Sequence, residues 1–225
     1  MLSPYQSSQF DLNFTLLGVP IRIQPMFWLV TILLGWDYFS QTNDLSILGL
    51  WVMAVFISII IHEFGHVFMG KLFGTESFVI LHGFGGLAVG ATEIPCKWKR
   101  ILITAAGPAA QLFFWLLLRS IISNLFSLDP TKESHIKFYY WISMLLVINL
   151  YWPLLNLIPV FPLDGGQILK DALGMIRPGS EKLAFQLSTL AAIGAIIYFA
   201  KTQQFYLVFL FVLLAMQSYE MQKGN

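Results

Sequence analysis

The chain has 225 residues, of which 57% are hydrophobic, 16% aromatic and only 11% charged, with a mean hydropathy of +0.71. An ordinary soluble domain carries about 25% charged residues, so this composition excludes a disordered chain, a soluble enzyme and a charged coiled coil. Thirteen Lys and Arg against twelve Asp and Glu leave a formal charge of +1, with no basic excess to hold nucleic acid phosphates, and the single Cys96 can form no intramolecular disulfide.

The first twenty residues lack both a basic start and a long apolar run, so they do not read as a cleaved signal peptide. The apolar runs farther along must hold the chain in a bilayer themselves. In chain order, FTLLGVPIRIQP comes first, with Val19, Ile21 and Ile23 alternating around Gly18 and Pro20, and predicts a short strand or hairpin. Spans of the length needed to cross hydrocarbon follow near Met26–Phe39, the shortest, and Leu45–Gly70. SFVILHGFGGLAVGAT then sets two β-prone runs around Gly83, Gly85 and Gly86. Further spans lie near Ile101–Leu125, Phe138–Ile158, Ala184–Ala200 and Phe205–Tyr219. The expected fold is an all-α membrane protein, a bundle of about six transmembrane helices with a small β-hairpin or sheet near the cytoplasmic face. It is read as one domain over residues 1–225, with a core at about 45–166 and additional C-terminal transmembrane helices over 184–219. With six spans, nine of the Lys and Arg residues fall on one side and four on the other, and the positive-inside rule places both termini in the cytoplasm.

Within the second span lies His62-Glu63-Phe64-Gly65-His66. Residues four apart share a helix face, so both imidazoles can meet one ion while the glutamate reaches a water bound to it. Three ionisable groups in an apolar span are costly unless paired or metal-bound, which favours a metal over a packed polar cluster. Counting nine residues back from Lys71 puts His62 about 13 Å below the membrane boundary. A catalytic zinc takes a third protein ligand. Asp164, in NLIPVFPLDGG after Pro159 and Pro162 end the fourth span, is the leading candidate. Asp164 also suits an N-cap, with Gln167 completing a capping box ahead of a helix over Gln167–Ile176, and the two roles stay open. His82, in the glycine-rich hairpin, and His135, in a loop on the opposite side, compete for the third position.

HEFGH inside a span, followed far downstream by NLIPVFPLDGG, resembles the site-2 protease family of intramembrane zinc metalloproteases, M50-type enzymes with HExxH and NxxPxxPLDG signatures. PIRIQPMFW resembles the family's lead-in to its first span, GFGGLAVG its glycine-rich hairpin, and AAGPAAQ the A-G-P start of its next helix. Gln24 and Gln111 stand where many members have His and Asn. The resemblance implies one Zn²⁺ per chain held by His62, His66 and Asp164, with Glu63 as catalytic base and Asn156 helping to hold the reacting carbonyl. It implies an endopeptidase cutting in or beside a transmembrane segment of a membrane protein or peptide, in a form without PDZ or CBS modules. Its partners would then be the substrate, the lipid bilayer and a possible separate regulatory membrane protein, with no nucleic acid, in a prokaryotic cytoplasmic membrane. Asn149, one heptad before Asn156, reads instead as an interhelical hydrogen-bonding residue, and an edge near Ser77–His82 or Gly86–Gly90 as a place for an unwound substrate strand. The competing class is a non-enzymatic zinc-binding membrane protein or metal transporter, which would need ionisable groups spaced across the bilayer where only one shallow cluster is evident.

Overall fold

A computed structural model of the chain describes residues 8–124 and 133–224. Leu125 at the end of one expected span, Lys132 in the loop after it and the first seven residues of the N-terminal segment lie outside the described residues. In order, the elements are β1 (Leu12–Leu16), β2 (Val19–Ile23), α1 (Pro25–Leu34), α2 (Trp36–Thr42), α3 (Leu45–Leu72), β3 (Phe78–His82), β4 (Gly85–Val89), α4 (Lys97–Asn124), α5 (Glu133–Asn156), α6 (Asp164–Ile176), α7 (Glu181–Lys201) and α8 (Phe205–Gly224). Five of the helices, α3, α4, α5, α7 and α8, are long and apolar enough to cross a membrane.

The strand or hairpin expected from the alternation of Val19, Ile21 and Ile23 and the one expected from two β-prone runs around Gly83, Gly85 and Gly86 are both present as hairpins, and they join. The strands form one sheet in the order β1-β2-β3-β4, with antiparallel pairing inside each hairpin and parallel pairing of β2 with β3. The β1–β2 turn is Leu17-Gly18, both at positive φ, as a two-residue hairpin turn of type I′ requires. On one face of the sheet Val19, Ile21, Ile23, Val79 and Leu81 are buried together with Phe27 of α1 and Ile59, Phe64 and Val67 of α3.

The first expected span, Met26–Phe39, is not one helix. It breaks at Gly35 into α1 and α2 because the Trp51 indole occupies the space a side chain at 35 would need, while its Nε1–H donates to the Thr31 carbonyl at 3.0 Å. α3 starts where Asp44 accepts from the Ser46 amide at 2.8 Å and the Ser46 hydroxyl at 2.7 Å. Those bonds, with Lys137 Nζ at 3.1 Å, hold the Asp44 carboxyl down at about 2. α4 departs from expectation at its start. The helix begins at Lys97, so the A-G-P residues Ala106, Gly107 and Pro108 lie inside it rather than opening it. Between spans, lipid removes most of the hydrophobic driving force and close backbone contact takes its place. Gly65 of α3 provides it, since a side chain there would strike the Ala106 carbonyl and Gly107.

The chain divides into two compact units, Met1–Thr92 with Ala106–Pro153, and Glu93–Ala105 with Leu154–Asn225. The sheet and α1–α3 belong to the first. In the second, Val160, Ala192, Phe211 and Leu214 form the core, and the Ser218 hydroxyl donates to the Phe161 carbonyl at 2.9 Å. Basic residues in the first turn of α4 tie down α6. Arg100 grips Asp171 with Nε at 2.9 Å and a second nitrogen at 2.5 Å, and Lys97 Nζ donates to the Gly174 carbonyl at 2.8 Å. Because Asp171 is almost fully buried, removing its partner strands a charge at a cost of about 3 kcal/mol. Arg100→Ala is therefore expected to lower the thermal midpoint of the detergent-solubilised protein, and Arg100→Met combined with Asp171→Leu to recover most of the loss. Equal losses in the single and double variants would contradict this account of the pair.

Candidate metal centre

α3 runs for 28 residues with neither proline nor cap inside it, so the helical period holds through the motif and brings His62 and His66 onto one face. Their ring centroids are 4.8 Å apart, and His62, Glu63 and His66 are all buried. A buried imidazole needs its second nitrogen fixed before the first can serve as a ligand. Gln111 of α4 does this: its Oε1 lies 2.8 Å from His62 Nδ1, and its Nε2 donates to the Ser58 carbonyl at 3.0 Å. Since the amide nitrogen already has an acceptor, the oxygen faces His62 and accepts a hydrogen bond from its Nδ1–H. The lone pair is left on His62 Nε2. Asn149 extends the network, donating to the Ser58 hydroxyl and to the Leu145 carbonyl, each at 2.8 Å. This is the interhelical role expected for it.

Two glycines shape the same region. A Cβ at Gly86 of β4 would stand 2.5 and 2.6 Å from Glu63 Cγ and Cδ, so the glutamate lies directly against bare backbone of the strand. A Cβ at Gly107 of α4 would strike the His66 ring.

In the second unit, Asp164 is the first residue of α6 and is buried. The capping alternative is not realised. Leu163 occupies the N-cap position with no side-chain cap, and Gln167 Nε2 donates to the Pro162 carbonyl at 3.0 Å. The helix expected over Gln167–Ile176 thus starts three residues earlier. Gly165 and Gly166 allow that early start, because side chains there would collide with the backbone of Leu157–Ile158 and Val160–Phe161. Asn156 closes α5 and is half-buried.

Among the described residues, His62 and His66 of the first unit and Asp164 of the second are the His, Cys, Asp and Glu side chains that could serve as metal ligands. Two imidazole nitrogens and one carboxylate oxygen are the donor set of a catalytic zinc with a fourth position left over. The rival histidines are not in that group. His82 Nδ1 accepts from the Phe84 amide at 3.3 Å, and burial pushes its pKa below the ordinary value. His135 sits in the first turn of α5.

Gln111 is a residue to which sequence reading assigned no role. Its signal is an uncharged polar side chain inside AAQLFFWLLL, fully buried in an apolar helix. Orienting partners of this kind are typically worth about 10–100-fold in metal affinity. Gln111→Leu, which deletes the acceptor at similar volume, is expected to weaken zinc binding by that factor in a competition titration. Unchanged affinity would show that the His62 tautomer needs no such support.

Residues 120–201 match the model of peptidase family M50. A protein of Synechocystis sp. is 34% identical over 181 residues, covering 75% of this chain and 45% of its own length. A zinc metalloprotease of Methanocaldococcus jannaschii is 30% identical over 181 residues, covering 80% of this chain and 48% of its own. The chain thus spans about half the length of these curated relatives. The solved structure of a site-2 protease from the same archaeon matches with a TM-score of 0.66 at 23% identity, covering 95% of each chain, which is a likeness of fold. With the five apolar helices, these likenesses make the chain a multi-pass membrane protein similar in sequence to peptidase family M50 metalloproteases and similar in fold to a site-2 protease.

Proposed function

We propose that the chain is an intramembrane zinc endopeptidase that hydrolyses a peptide bond in or beside a transmembrane segment of a membrane-protein substrate. The observation that carries this reading is that His62 and His66 lie buried on one face of α3 with ring centroids 4.8 Å apart, Glu63 between them in the chain and the His62 ring held by Gln111. The M50 likeness and the M. jannaschii relative's name support it. In it, His62 Nε2, His66 and Asp164 hold zinc, which when bound lowers the pKa of water toward 7 and polarises a peptide carbonyl.

Glu63, one residue from a ligand and buried against β4, accepts the proton of the attacking water and returns it to the leaving amine. Asn156 donates a hydrogen bond to the carbonyl oxygen as charge develops there, a contact typically worth about 3 kcal/mol. Both termini and the 71–100 and 159–183 loops lie on the cytoplasmic side in this reading, following the distribution of Lys and Arg.

A helical substrate must be unwound, and its freed amides need partners that lipid cannot supply. Of the two edges considered from sequence, Ser77–His82 is closed, because β3 pairs with β2 on one side and β4 on the other. The Gly86–Gly90 edge remains. β4 has one neighbour in the sheet, and its Gly86 touches Glu63, so a strand added there would run beside the base.

Glu63→Gln is expected to keep its zinc while cleavage of a membrane-spanning substrate in vesicles falls by about 10²–10⁴-fold. Full activity in that variant would rule out the assigned base, and His66→Ala should lose metal as well as activity. In an antiparallel ladder alternate amides point outward, so one of Leu87→Pro and Ala88→Pro removes only an outward N–H. That variant should lose cleavage while keeping both its zinc and its thermal midpoint. Unchanged turnover in both variants would reject strand addition at β4.

A further inference from the structure

The face of the sheet that packs on α1 and α3 continues past them. Cross-strand pairing of Leu12 with Ile23, Phe14 with Ile21 and Leu16 with Val19 puts the three β1 side chains on the same face as the buried β2 residues. Their environments differ sharply. Val19, Ile21 and Ile23 are at most 2% exposed, whereas Leu12, Phe14 and Leu16 are 54%, 40% and 39% exposed. Geometry explains the contrast. α3 packs against β4 and α1 against β3, while β1 lies three strand spacings, about 14 Å, from β4. A helix is only about 10 Å wide, so β1 overhangs what the helices cover.

We propose that this overhang rests on lipid: the β1–β2 hairpin lies flat at the membrane surface, with Leu12, Phe14 and Leu16 turned into the acyl chains and Leu17 at its tip. Four observations favour lipid as the occupant. The covered part of the same face already looks toward the membrane-spanning helix α3, so its extension looks toward the bilayer around that helix. The hairpin leads directly into α1, whose Met26, Leu29, Ile32 and Leu33 are exposed apolar side chains as well, so the two surfaces are continuous. The turn holds Leu17 at φ 51 and 72% exposed, a leucine in the left-handed conformation where Asn or Gly is the usual choice. The other face is polar, with Asn13 paired across the ladder to Arg22 and Thr15 to Pro20, beside a shallow groove of about 270 Å³. The depth follows from hydrogen bonding. β1 has one neighbour, and an open strand edge is not tolerated in hydrocarbon, so the edge stays among headgroups and water while only the apolar face goes down.

The test uses the full chain with Cys96→Ser, carrying one spin-labelled cysteine at a time at Leu12→Cys, Asn13→Cys, Phe14→Cys, Thr15→Cys or Leu16→Cys. Each protein is reconstituted in phosphatidylcholine and phosphatidylglycerol vesicles. Collision of the label with oxygen, which concentrates among acyl chains, is compared with collision with a water-soluble nickel chelate. The expected result is an alternation of period two, with the oxygen-to-nickel ratio several-fold higher at 12, 14 and 16 than at 13 and 15. A uniformly water-like ratio at all five positions would overturn the proposal. So would labels at 12, 14 and 16 that are screened from both reagents, which would mean that protein, a second copy or another part of the chain, covers this face.

Discussion

The centre of this protein depends on satisfying polar atoms that are buried within apolar helices. His62 sits in an apolar helix, and its Nδ1 proton goes to Gln111, whose own amide is held by the Ser58 carbonyl, while the Ser58 hydroxyl accepts from Asn149. Each link uses donors and acceptors that would otherwise be costly in a low-dielectric interior. The chain of bonds also draws α3, α4 and α5 together, so the arrangement that fixes the imidazole tautomer fixes the helices around it. A packed core and an oriented imidazole are one construction here.

Glycine does the complementary work of letting large polar groups approach backbone. Gly86 leaves room for the Glu63 side chain against β4, Gly107 for the His66 ring against α4, and Gly65 for the close contact of α3 with α4. On the second unit, Gly165 and Gly166 let α6 start immediately after the Pro159–Pro162 turn, and Asp164 begins that helix without being spent as its cap. Arg100 and Lys97 then fasten the helix along its length at Asp171 and Gly174.

Much of this is legible in the residues, because the signals are local. The length of α3, the shared face of His62 and His66, the alternation in both hairpins and the two C-terminal spans follow from periodicity within one segment. What escapes is set by residues distant in sequence. The break at Gly35 is caused by Trp51 of another helix. The family resemblance implies a helix start at the A-G-P residues, yet Arg100 and Lys97 find partners on α6 and the helix begins with Lys97. Asp164 followed by Gln167 reads as a capping box until the position of Pro162 gives the glutamine another acceptor. Parallel pairing of β2 with β3 has no local signature, since three helices separate the strands.

That parallel pairing imposes a parity condition on the path of the chain. β2 and β3 share one sheet, so everything from Gln24 to Ser77 has to leave that side of the bilayer and return to it. α3 makes one full traverse. α1 and α2 precede it, so the outbound leg falls to them, and their 10 and 7 residues sum to about 26 Å of helix, close to a hydrocarbon thickness despite the interruption at Gly35. Two helices individually too short to traverse the membrane thus act as one broken crossing, and the sheet can close only after both legs are in place.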